Sequence, residues 1–368
     1  MPTFAAIIVA AGYSSRMGSF KPLAPLAGKS ALEWTVAACR DGGVADIGVV
    51  TGHRAADLAP ELKRLKVAAL HNPAFDTGMY SSIRAGLASL APEVDACFLL
   101  PVDIPLVRAS TVRALAERYA AIRTPLVYPA FRGQRGHPPL IGRELFAEIL
   151  AGDGTGGLRA VLQRHQADVV AVADQSILLD MDTPEDHARL AARAAHHLLP
   201  SVAECEAMLE MQGVGEPLRR HCRAVAAVAT ALAGRLPGVD PQLVMAGGLL
   251  HDIAKGQPAH AEAGAARVAQ LGYPAVAEIV GKHMDFDFTG GLPDAAAVVF
   301  IADKLVREDR RVQLASRFQP AIDRYAGQPD ALAAARRRYR NARNVLAAIE
   351  AHAGMGHEQI LAGTGVAA

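Results

Sequence analysis

The sequence of 368 residues lacks features that mark several classes of protein. It has no run of about 18 or more consecutive apolar residues, which argues against a transmembrane helix. Its formal net charge is +1, so the composition indicates neither a nucleic-acid partner nor binding to a membrane surface. Its four cysteines form no CxxC pair, so we expect no disulfide framework and a cytoplasmic location.

The beginning of the chain lacks the two commonest phosphate-binding motifs. Neither the P-loop pattern GxxxxGK[ST] nor the dinucleotide fingerprint is present there. The stretch "MPTFAAIIVAAG" also lacks the basic region that precedes the apolar part of a signal peptide, and it runs into a glycine loop. We therefore expect a first β-strand that leads into a binding loop.

The two halves of the sequence have different hydrophobic periodicities. Residues 4–190 alternate short apolar runs such as "FAAIIVA", "IGVVTG" and "ACFLLPVD" with amphipathic stretches, which predicts a mostly parallel sheet with helices on both faces. From Ser201 onward, helical stretches follow one another without a convincing strand, at 215–234, 240–254, 258–270 and 328–352. We therefore predict an α/β domain over residues 1–197, an all-α domain over 198–355 and a tail over 356–368.

The loop after the first predicted strand reads "VAAGYSSRMGSFK". Small residues at Ala10, Ala11 and Gly12 let backbone amides approach an anion closely, and Arg16 and Lys21 supply positive charge. The alternative is an ordinary glycine-rich loop at the protein surface. The spacing resembles the AAGxSxRMGxxK signature of nucleotidyltransferases of the molybdenum cofactor type, whose fold is Rossmann-like and of the GT-A type.

The resemblance extends over residues 4–195 and implies a set of site residues. The segment "NPAFDTGMYSSIRAGL" resembles the second nucleotide-contacting segment of the family, and "RGQRGHPPL" resembles its GHP segment. Arg16, Lys21 and Asp103 would be the catalytic residues. The nucleotide contacts implied by the resemblance are Ala10, Ala11, Gly12, Arg16, Lys21, Ser81, Ser82, Arg84 and Asp103.

Two segments of the predicted α/β domain carry aspartates that are candidate metal ligands. Asp103 comes just after the apolar run "FLLPVD", and in the family an aspartate at this place holds Mg²⁺. Asp180 and Asp182 lie two residues apart, and we favour Asp182 as the second Mg²⁺ ligand with Asp180 as its competitor. For Asp186 we expect only a helix cap. A metal held by two carboxylates, together with two cations, offsets the charge of a triphosphate.

The resemblance also implies the reaction. The guanylyl members of the family typically read AGG where this chain has Ala10, Ala11 and Gly12. A methyl group at Ala11 narrows the space for a base and favours CTP over GTP or another NTP. The acceptor would be molybdopterin, pyrophosphate would leave, and a molybdoenzyme would receive the finished cofactor. A sugar phosphate or an alcohol phosphate is the alternative acceptor.

In the second half an adjacent histidine and aspartate end the apolar run 245–250. Both side chains are costly to bury, and a shared metal ion removes that cost because divalent metals bind imidazole and carboxylate groups. A single histidine at such a place is more often part of the core. Here further candidate ligands surround the pair, and the whole set is His221, His251, Asp252, His260, His283 and Asp303.

The order His, His-Asp, Asp resembles the HD phosphohydrolases over residues 215–310. The resemblance implies a divalent transition metal such as Mn²⁺, Fe²⁺, Co²⁺ or Ni²⁺, and hydrolysis of a small phosphoester. His260 and His283 would hold a second metal or position the substrate, and Lys255, on the helix face of His251, would be catalytic by binding a phosphate oxygen. The competing interpretation is a ligand-sensing module without turnover.

Arginines near these motifs are further candidates for binding an anionic substrate. Arg307, Arg310 and Arg311 lie close to Asp303 in sequence. The run "ARRRYRNAR" at 335–343 is expected to be the solvated face of a helix.

Overall fold

A computed structural model describes residues 1–285 and 287–367 of the chain. It divides into two compact units, Met1–His197 and Leu198–Ala368, and each is described by itself. The first unit is α/β and the second is almost entirely helical, so the predicted fold classes are confirmed. No helix in the described ranges is both long and apolar enough to cross a membrane.

The first unit is built on a sheet whose strands run mostly parallel. Phe4–Val9 pairs in parallel with Asp46–Thr51 on one side and with Ala96–Pro101 on the other, and all three strands end at the same edge. The loops that follow them therefore meet at this edge, where sheets of this kind bind ligands. The order across the sheet is Asp168–Ala171, Leu126–Phe131, Leu140–Gly142, Ala96–Pro101, Phe4–Val9, Asp46–Thr51 and Ala68–His71, with Gln134–Arg135 paired to Leu126–Phe131.

Helices cover both faces of this sheet, which explains why its central strands are continuous apolar runs. Ile7 and Ile8 point to opposite faces, and both are fully buried. Gly86 allows one helix to lie close to the sheet, because a Cβ at this position would come 2.5 Å from Cγ2 of Ile7. The helices of the unit are Ala31–Asp41, Ala55–Leu65, Met79–Ala88, Ala109–Ile122, Phe146–Ala151, Gly157–Leu162 and Pro184–Ala195.

Three strands of the sheet were not predicted, and one of them is the two-residue strand Gln134–Arg135. Leu140–Gly142 has three residues and runs antiparallel to both of its neighbours, so no apolar run of ordinary length marks it. Asp168–Ala171 is the edge strand, and its residues alternate between half-buried and exposed. A short edge strand that is buried on one face alone has no strong hydrophobic pattern in the sequence.

The second unit packs its helices around Ala295–Lys304. Residues 296–302 of this helix are all buried, and they contact Glu216–Ala233, Pro241–Leu250 and Pro329–Ala353. Nearly every side chain of the central helix is therefore apolar. The helices of the unit are Val202–Met211, Glu216–Ala233, Pro241–Leu250, His260–Gln270, Pro274–Lys282, Ala295–Lys304, Leu314–Arg324, Pro329–Ala353 and His357–Leu361.

A pair of glycines lets three helices approach one another beside the His-Asp pair. A Cβ at Gly248 would lie 2.7 Å from Cα of Ala226 on the helix Glu216–Ala233. A Cβ at Gly247 would lie 2.7 Å from Cγ2 of Ile279 on the following helix Pro274–Lys282. Because both distances are below van der Waals contact, only glycine fits at these two positions without a shift of the neighbours.

The structure corrects three expectations for the second unit. The helix expected over 240–254 ends at Leu250. The backbone hydrogen bonds that follow join residues three apart, as in a turn, and Gly256 has a φ of +95°. A short hairpin of Val306–Arg307 and Arg310–Arg311 is present where no strand was expected. The expected tail contains the helix His357–Leu361, since its apolar side chains Ile360 and Leu361 are buried against the core.

Candidate active sites

A cavity of about 370 Å³ lies at the carboxyl edge of the sheet in the first unit. Its walls come from the loop after Phe4–Val9, the segment from Phe75 to Met79 and the loop after Ala96–Pro101. These are the places where the sequence predicted a nucleotide. The predicted site residues that line the cavity are Ala10, Ala11, Gly12, Lys21, Ser82 and Asp103.

The loop before Lys21 is held by a local hydrogen bond and leaves open space at its glycine. Ser14 has a φ of +57°, and its Oγ accepts a bond of 3.1 Å from the backbone N–H of Lys21. A Cβ at Gly12 would meet no protein atom within 4 Å. Packing therefore does not require glycine at this position, whereas the close approach of a ligand would.

Two alanines of the signature are tied to the neighbouring strand. The N–H of Ala10 donates to the carbonyl of Val50 at 2.9 Å, so this amide is not available to a phosphate. The carbonyl of Ala11 accepts from the N–H of His53 at 3.1 Å. The methyl group of Ala11 belongs to the core cluster, close to where a Cβ of Gly52 would lie. Both alanines border the cavity, and the amide of Ala10 and the carbonyl of Ala11 are engaged by the neighbouring backbone.

Lys21 joins the two carboxylates that were predicted to hold a metal. Its Nζ lies 2.6 Å from Oδ1 of Asp182 and 3.3 Å from Oδ2 of Asp103, and Nη2 of Arg16 lies 2.8 Å from Oδ2 of Asp182. The carbonyl of Asp103 accepts from the N–H of Met181 at 2.8 Å, which fixes the two acidic loops side by side. The structure thus gathers two acids and two cations next to the cavity.

The other acidic residues of the second loop have different surroundings. Asp180 is exposed, whereas Asp182 is half-buried and paired. Asp186 and Thr183 form a capping box at the start of Pro184–Ala195, so the expectation of a helix cap for Asp186 is confirmed. Between the two candidates for the second carboxylate, the geometry favours Asp182.

The GHP segment brings the imidazole of His137 near the carboxylates of Asp103 and Asp180. A Cβ at Gly136 would lie 2.5 Å from the carbonyl oxygen of Ile177, which accepts from the N–H of His137 at 3.0 Å. Burial lowers the pKa of His137 below its ordinary value, although Asp103 and Asp180 act in the opposite direction. The imidazole is therefore neutral beside the acids at neutral pH.

The segment 72–87 places its polar residues differently from what the resemblance implied. Ser82 is buried and lines the cavity, and its Oγ accepts from Nδ2 of Asn72 at 3.0 Å. Ser81 donates to backbone carbonyls and also accepts from Asn72 at 2.9 Å, so its hydroxyl is held inside the segment. Arg84 is exposed and does not line the cavity. Sequence reasoning missed Asn72, which was quoted only as part of the segment.

The second candidate site is centred on the carboxylate of Asp252. Its Oδ1 lies 3.4 Å from Nε2 of His260 and 3.5 Å from Nε2 of His283, and its Oδ2 lies 3.5 Å from Nε2 of His251. The side chain of Asp252 is 2% exposed and that of His251 is fully buried. A buried carboxylate is thus surrounded by three imidazoles.

Asp303 completes the cluster from the opposite side. Its Oδ1 lies 3.2 Å from Nε2 of His221 and 3.8 Å from Nε2 of His251. The six residues therefore form one continuous group, although they are spread over more than eighty positions of the chain. They come from Glu216–Ala233, the turn after Pro241–Leu250, the start of His260–Gln270, the end of Pro274–Lys282 and Ala295–Lys304.

Backbone carbonyls fix the orientation of three of the imidazoles. Nδ1 of His221 lies 2.7 Å from the carbonyl of Glu308, Nδ1 of His251 lies 2.8 Å from that of Gly248, and Nδ1 of His283 lies 2.7 Å from that of Val280. A carbonyl oxygen only accepts, so each Nδ1 carries the proton. In the neutral ring, Nε2 then presents its lone pair to the carboxylates.

This arrangement is repulsive unless a cation lies between the lone pairs and the carboxylates. Nε2 of His251, His260 and His283 and Oδ1 of Asp252 are buried and make no hydrogen bond to the described residues. Burial alone would raise the pKa of Asp252, but His251 and His283 lower it by more, to well below its ordinary value. The carboxylate is therefore ionised, and Lys255 supplies positive charge to its Oδ2 but not to its buried Oδ1.

The donor atoms fit a divalent metal. Imidazole nitrogens and carboxylate oxygens are borderline and hard ligands, and Nδ1–H bonds to carbonyls are the usual second contacts of metal-binding histidines. Two triads within the described residues have ligand atoms close enough to share an ion, namely His221, His251 and Asp252, and Asp252, His260 and His283. Asp252 belongs to both triads, so it would be a ligand of an ion held by either one.

Two lysines lie against the carboxylates. Nζ of Lys255 is 2.9 Å from Oδ2 of Asp252, and its side chain is half exposed. The expectation that Lys255 and His251 share a helix face is wrong, because both residues lie in the turns that follow Leu250. Nζ of Lys304 is 2.6 Å from Oδ2 of Asp303 and is largely buried. Sequence reasoning missed Lys304, for which the signal was a lysine directly after a predicted ligand inside an apolar helix.

The nearby arginines do not join the cluster. Arg307 and Arg310 are exposed on the hairpin. Arg311 contacts the end of the chain, where its Nε donates to the carbonyl of Val366 at 3.1 Å. In the run 335–343, Arg337 and Arg338 contact the carboxylate of Asp285 while Ala335 and Ala342 are buried, so the helix face is only partly solvated.

Comparison with known proteins agrees with this division of the chain. Residues 6–170 match the family of MobA-like NTP transferase domains. Residues 218–308 match the HD domain family. The two matches contain the two clusters of side chains described above, apart from Asp182, which lies beyond the first match.

Three relatives each match about half of this chain or less. The molybdenum cofactor cytidylyltransferase of Escherichia coli is 26% identical over 181 residues, which span 49% of this chain and 91% of that protein. The bifunctional protein GlmU of Geobacter sulfurreducens is 30% identical over 139 residues, which span 37% of this chain and only 29% of that protein. The crystal structure of Rv0371c from Mycobacterium tuberculosis has 26% identity and a TM-score of 0.46, with 52% of this chain and 99% of that chain covered. This chain therefore combines a MobA-like NTP transferase domain at its N-terminal end with an HD domain at its C-terminal end.

Proposed function

We propose that this chain is a bifunctional enzyme with one phosphorus chemistry in each unit. The first unit transfers CMP from CTP to molybdopterin and releases pyrophosphate. The second unit hydrolyses a small phosphoester with the help of a divalent transition metal. The observation that carries the transferase proposal is the meeting of Asp103, Asp182 and Lys21 beside a cavity at the carboxyl edge of the sheet.

In the proposed transfer, an oxygen of the terminal phosphate of molybdopterin attacks the α-phosphorus of CTP. The bond from that phosphorus to the bridging oxygen breaks, and pyrophosphate leaves with the electron pair. Mg²⁺ held by Asp103 and Asp182 would offset the triphosphate charge. Lys21 and Arg16, which now pair with Asp182, would contact the leaving phosphates once the metal occupies the acids.

The choice of CTP and molybdopterin is supported by the name of one relative and by the signature loop. The Escherichia coli relative is a molybdenum cofactor cytidylyltransferase, and the match spans nearly its whole length. Ala11, at the position where the guanylyl members have glycine, lines the cavity. The match to the bifunctional protein GlmU of Geobacter sulfurreducens covers less than a third of that protein and does not identify an acceptor.

Release of pyrophosphate with different substrates tests this proposal. We expect turnover with CTP and molybdopterin to exceed turnover with GTP and molybdopterin, with Mg²⁺ present in both assays. A sugar 1-phosphate and a simple alcohol phosphate, offered with CTP, serve as acceptor controls. Equal or faster turnover with GTP would overturn the assignment of the base, and faster turnover with either control acceptor would overturn molybdopterin.

The hydrolase proposal rests on the buried ligand atoms of the second unit. Nε2 of His251, His260 and His283 and Oδ1 of Asp252 face one another without hydrogen bonds to the described residues. A metal bound there supplies a water nucleophile at neutral pH. Water would attack phosphorus, the ester P–O bond would break, and the alcohol would take up a proton as it leaves. Lys255, half exposed beside Asp252, would bind a phosphate oxygen.

The competing function is a ligand-sensing HD module without turnover, a possibility that the geometry disfavours. A retired site has no need to keep ionised carboxylates buried, because each is costly without a cation. All six predicted ligands remain in contact here. Metal analysis of the purified chain followed by a phosphoester screen decides between the two, since a sensing module would bind ligand and hydrolyse none of the esters.

A further inference from the structure

The two oxygens of the buried Asp303 carboxylate have different partners. Oδ2 lies 2.6 Å from Nζ of Lys304, the next residue along the chain. Oδ1 lies 3.2 Å from Nε2 of His221 and 3.8 Å from Nε2 of His251. The lysine therefore holds one oxygen, and the other oxygen is left to an ion bound by the imidazoles.

The ammonium of Lys304 is held inside the protein rather than in solvent. Its side chain is 10% exposed, and it ends the apolar helix Ala295–Lys304, where a lysine is seldom buried unless it is paired. Nζ lies 5.1 Å from the centre of the Phe300 ring one turn earlier, a distance at which a cation and a ring attract. Because an ammonium is a compact point charge, it fixes the carboxylate of Asp303 through a single oxygen.

Lys255 makes a similar contact with the other carboxylate but is less firmly held. Its Nζ lies 2.9 Å from Oδ2 of Asp252, while its side chain is half exposed and lies in a turn. An exposed ion pair contributes little free energy, whereas a buried pair is costly to break. Lys255 is therefore free to leave its carboxylate, and Lys304 is not.

We propose that Lys304 is a positioning residue for the metal site, because it holds Oδ2 of Asp303 so that this carboxylate binds the ion through Oδ1 alone. Second contacts of this kind orient metal ligands, and their loss weakens metal binding by roughly 10- to 100-fold. Without the lysine, Oδ2 would be free to join the ion. This inference rests on the proposed metal site but not on the hydrolysis of any ester.

The visible absorption of Co²⁺ bound to the full chain tests this role without turnover, because its intensity falls as more ligand atoms surround the ion. Lys304→Met keeps the length of the side chain and removes its charge. We expect weaker absorption per bound Co²⁺, since a second oxygen of Asp303 joins the ion, and about tenfold weaker binding of Co²⁺. Lys282→Met is the matched control, because Lys282 directly precedes the ligand His283 and pairs with Glu278 at the surface.

A small cation should restore the absorption in a chain that lacks the lysine side chain. Lys304 lines a cavity of about 390 Å³ between Leu314–Arg324 and Pro329–Ala353, so Lys304→Ala leaves space that ethylammonium can enter. We expect ethylammonium to return the absorption of bound Co²⁺ toward the wild-type value, and ethanol, which is uncharged, to leave it unchanged. Lys304→Ala is purified with ethylammonium as the counter-charge of the buried carboxylate, so it remains a test if Lys304→Met does not fold.

The outcomes separate this inference from the proposed hydrolase function. An unchanged Co²⁺ spectrum or tighter Co²⁺ binding in Lys304→Met would overturn the positioning role, and so would a folded Lys304→Ala chain that ethylammonium does not restore. The expected changes in a chain that hydrolyses no phosphoester would support Lys304 and overturn the hydrolase proposal. A second unit that binds no divalent metal would overturn both.

Discussion

Asp252 shows at the scale of one residue why we expect a metal in the second unit. Its carboxylate is 2% exposed, and of its neighbours only Lys255 brings a permanent positive charge within hydrogen-bond distance. The imidazoles of His251, His260 and His283 face it through Nε2. Two of these rings use their Nδ1 protons on backbone carbonyls, so they stabilise the carboxylate only by taking up a second proton or by sharing a cation with it.

Replacing His251 and Asp252 by alanine should remove divalent metal from the chain's second unit and end its phosphoester hydrolysis. Asp252 belongs to both ligand triads, so its loss affects either ion. Metal per folded chain is measured by elemental analysis after dialysis. His352→Ala is the matched control, because His352 is exposed and bonds only to its own helix. Full metal content in the double variant would show that these two residues are ordinary core.

Variants with a single substitution should show whether the site binds one ion or two. His260→Ala and His283→Ala remove ligands of the second triad only. If two ions are bound, we expect each variant to lose one of them and most of the hydrolysis. If one ion is bound, metal content should stay unchanged and KM should rise. The ratio of metal to folded chain distinguishes these results.

His197 makes the first unit sensitive to acid. Burial, together with the nearby cations Arg108, Arg193 and Lys29, lowers its pKa to about 3. The unfolded chain, with a histidine pKa of 6.5, therefore binds a proton that the folded unit rejects. Stability is full above the unfolded pKa and falls as the pH drops below it.

We expect the free energy of unfolding of the first unit to fall by about 2 kcal/mol between about pH 7 and pH 5 through this one group. Fluorescence of Trp34, the chain's single tryptophan, reports the unfolding, since its ring lies 4.7 Å from that of His197. In His197→Phe most of this loss should disappear. An equal loss of stability in the variant would assign the acid sensitivity to other groups.

At the scale of elements, glycines decide how closely the ligand-bearing helices pack. His251 follows the helix Pro241–Leu250, and His221 lies on Glu216–Ala233. Where these helices meet, Gly248 leaves no space for a methyl group, because a Cβ would come within 2.7 Å of backbone atoms. The carbonyl of Gly248 also orients His251, so one residue sets both the helix spacing and the direction of a ligand.

Gly248→Ala should destabilise the second unit by about 1–3 kcal/mol through overpacking and should weaken metal binding. Gly281→Ala is the matched control, because its Cβ would lie 3.5 Å from the nearest atom and the change favours the helix by about 0.5–1 kcal/mol. Chemical denaturation and metal titration check both effects. A Gly248→Ala chain as stable as the wild type would show that the two helices can separate without cost.

The sequence predicted the elements whose hydrophobic pattern was strong. The apolar runs around Phe4–Val9, Asp46–Thr51 and Ala96–Pro101 became adjacent strands, because a parallel sheet buries them on both faces. The pattern could not show where the helix Pro241–Leu250 stops, since apolar residues continue beyond it as turns. Short strands such as Leu140–Gly142 carry too few residues for a period to appear.

The ligand set was also visible in the sequence, whereas contacts made by tertiary structure were not. The order of histidines and aspartates identified the cluster, because metal binding restricts residue type at each position. The pairing of Lys304 with Asp303, the bonds of Asn72 to two serines and the exposure of Arg84 depend on side-chain direction. No pattern of residue types along the chain reports that direction.

At the scale of the whole molecule, the two proposed chemistries on phosphorus would use separate sets of side chains. The acids and cations of the first site lie within Met1–His197, and the metal ligands of the second lie within Leu198–Ala368. No residue in the described ranges belongs to both sets. Each activity should therefore be removable without loss of the other.

Assaying two variants for both activities tests whether each activity can be removed alone. Asp103→Ala and the double variant of His251 and Asp252 are each assayed for pyrophosphate release with CTP and molybdopterin, and for phosphoester hydrolysis with added metal. We predict that Asp103→Ala loses transfer by at least about a hundredfold and keeps hydrolysis, while the double variant shows the reverse. If either folded variant lost both activities, or kept both, the proposed separation of the two sites would be wrong.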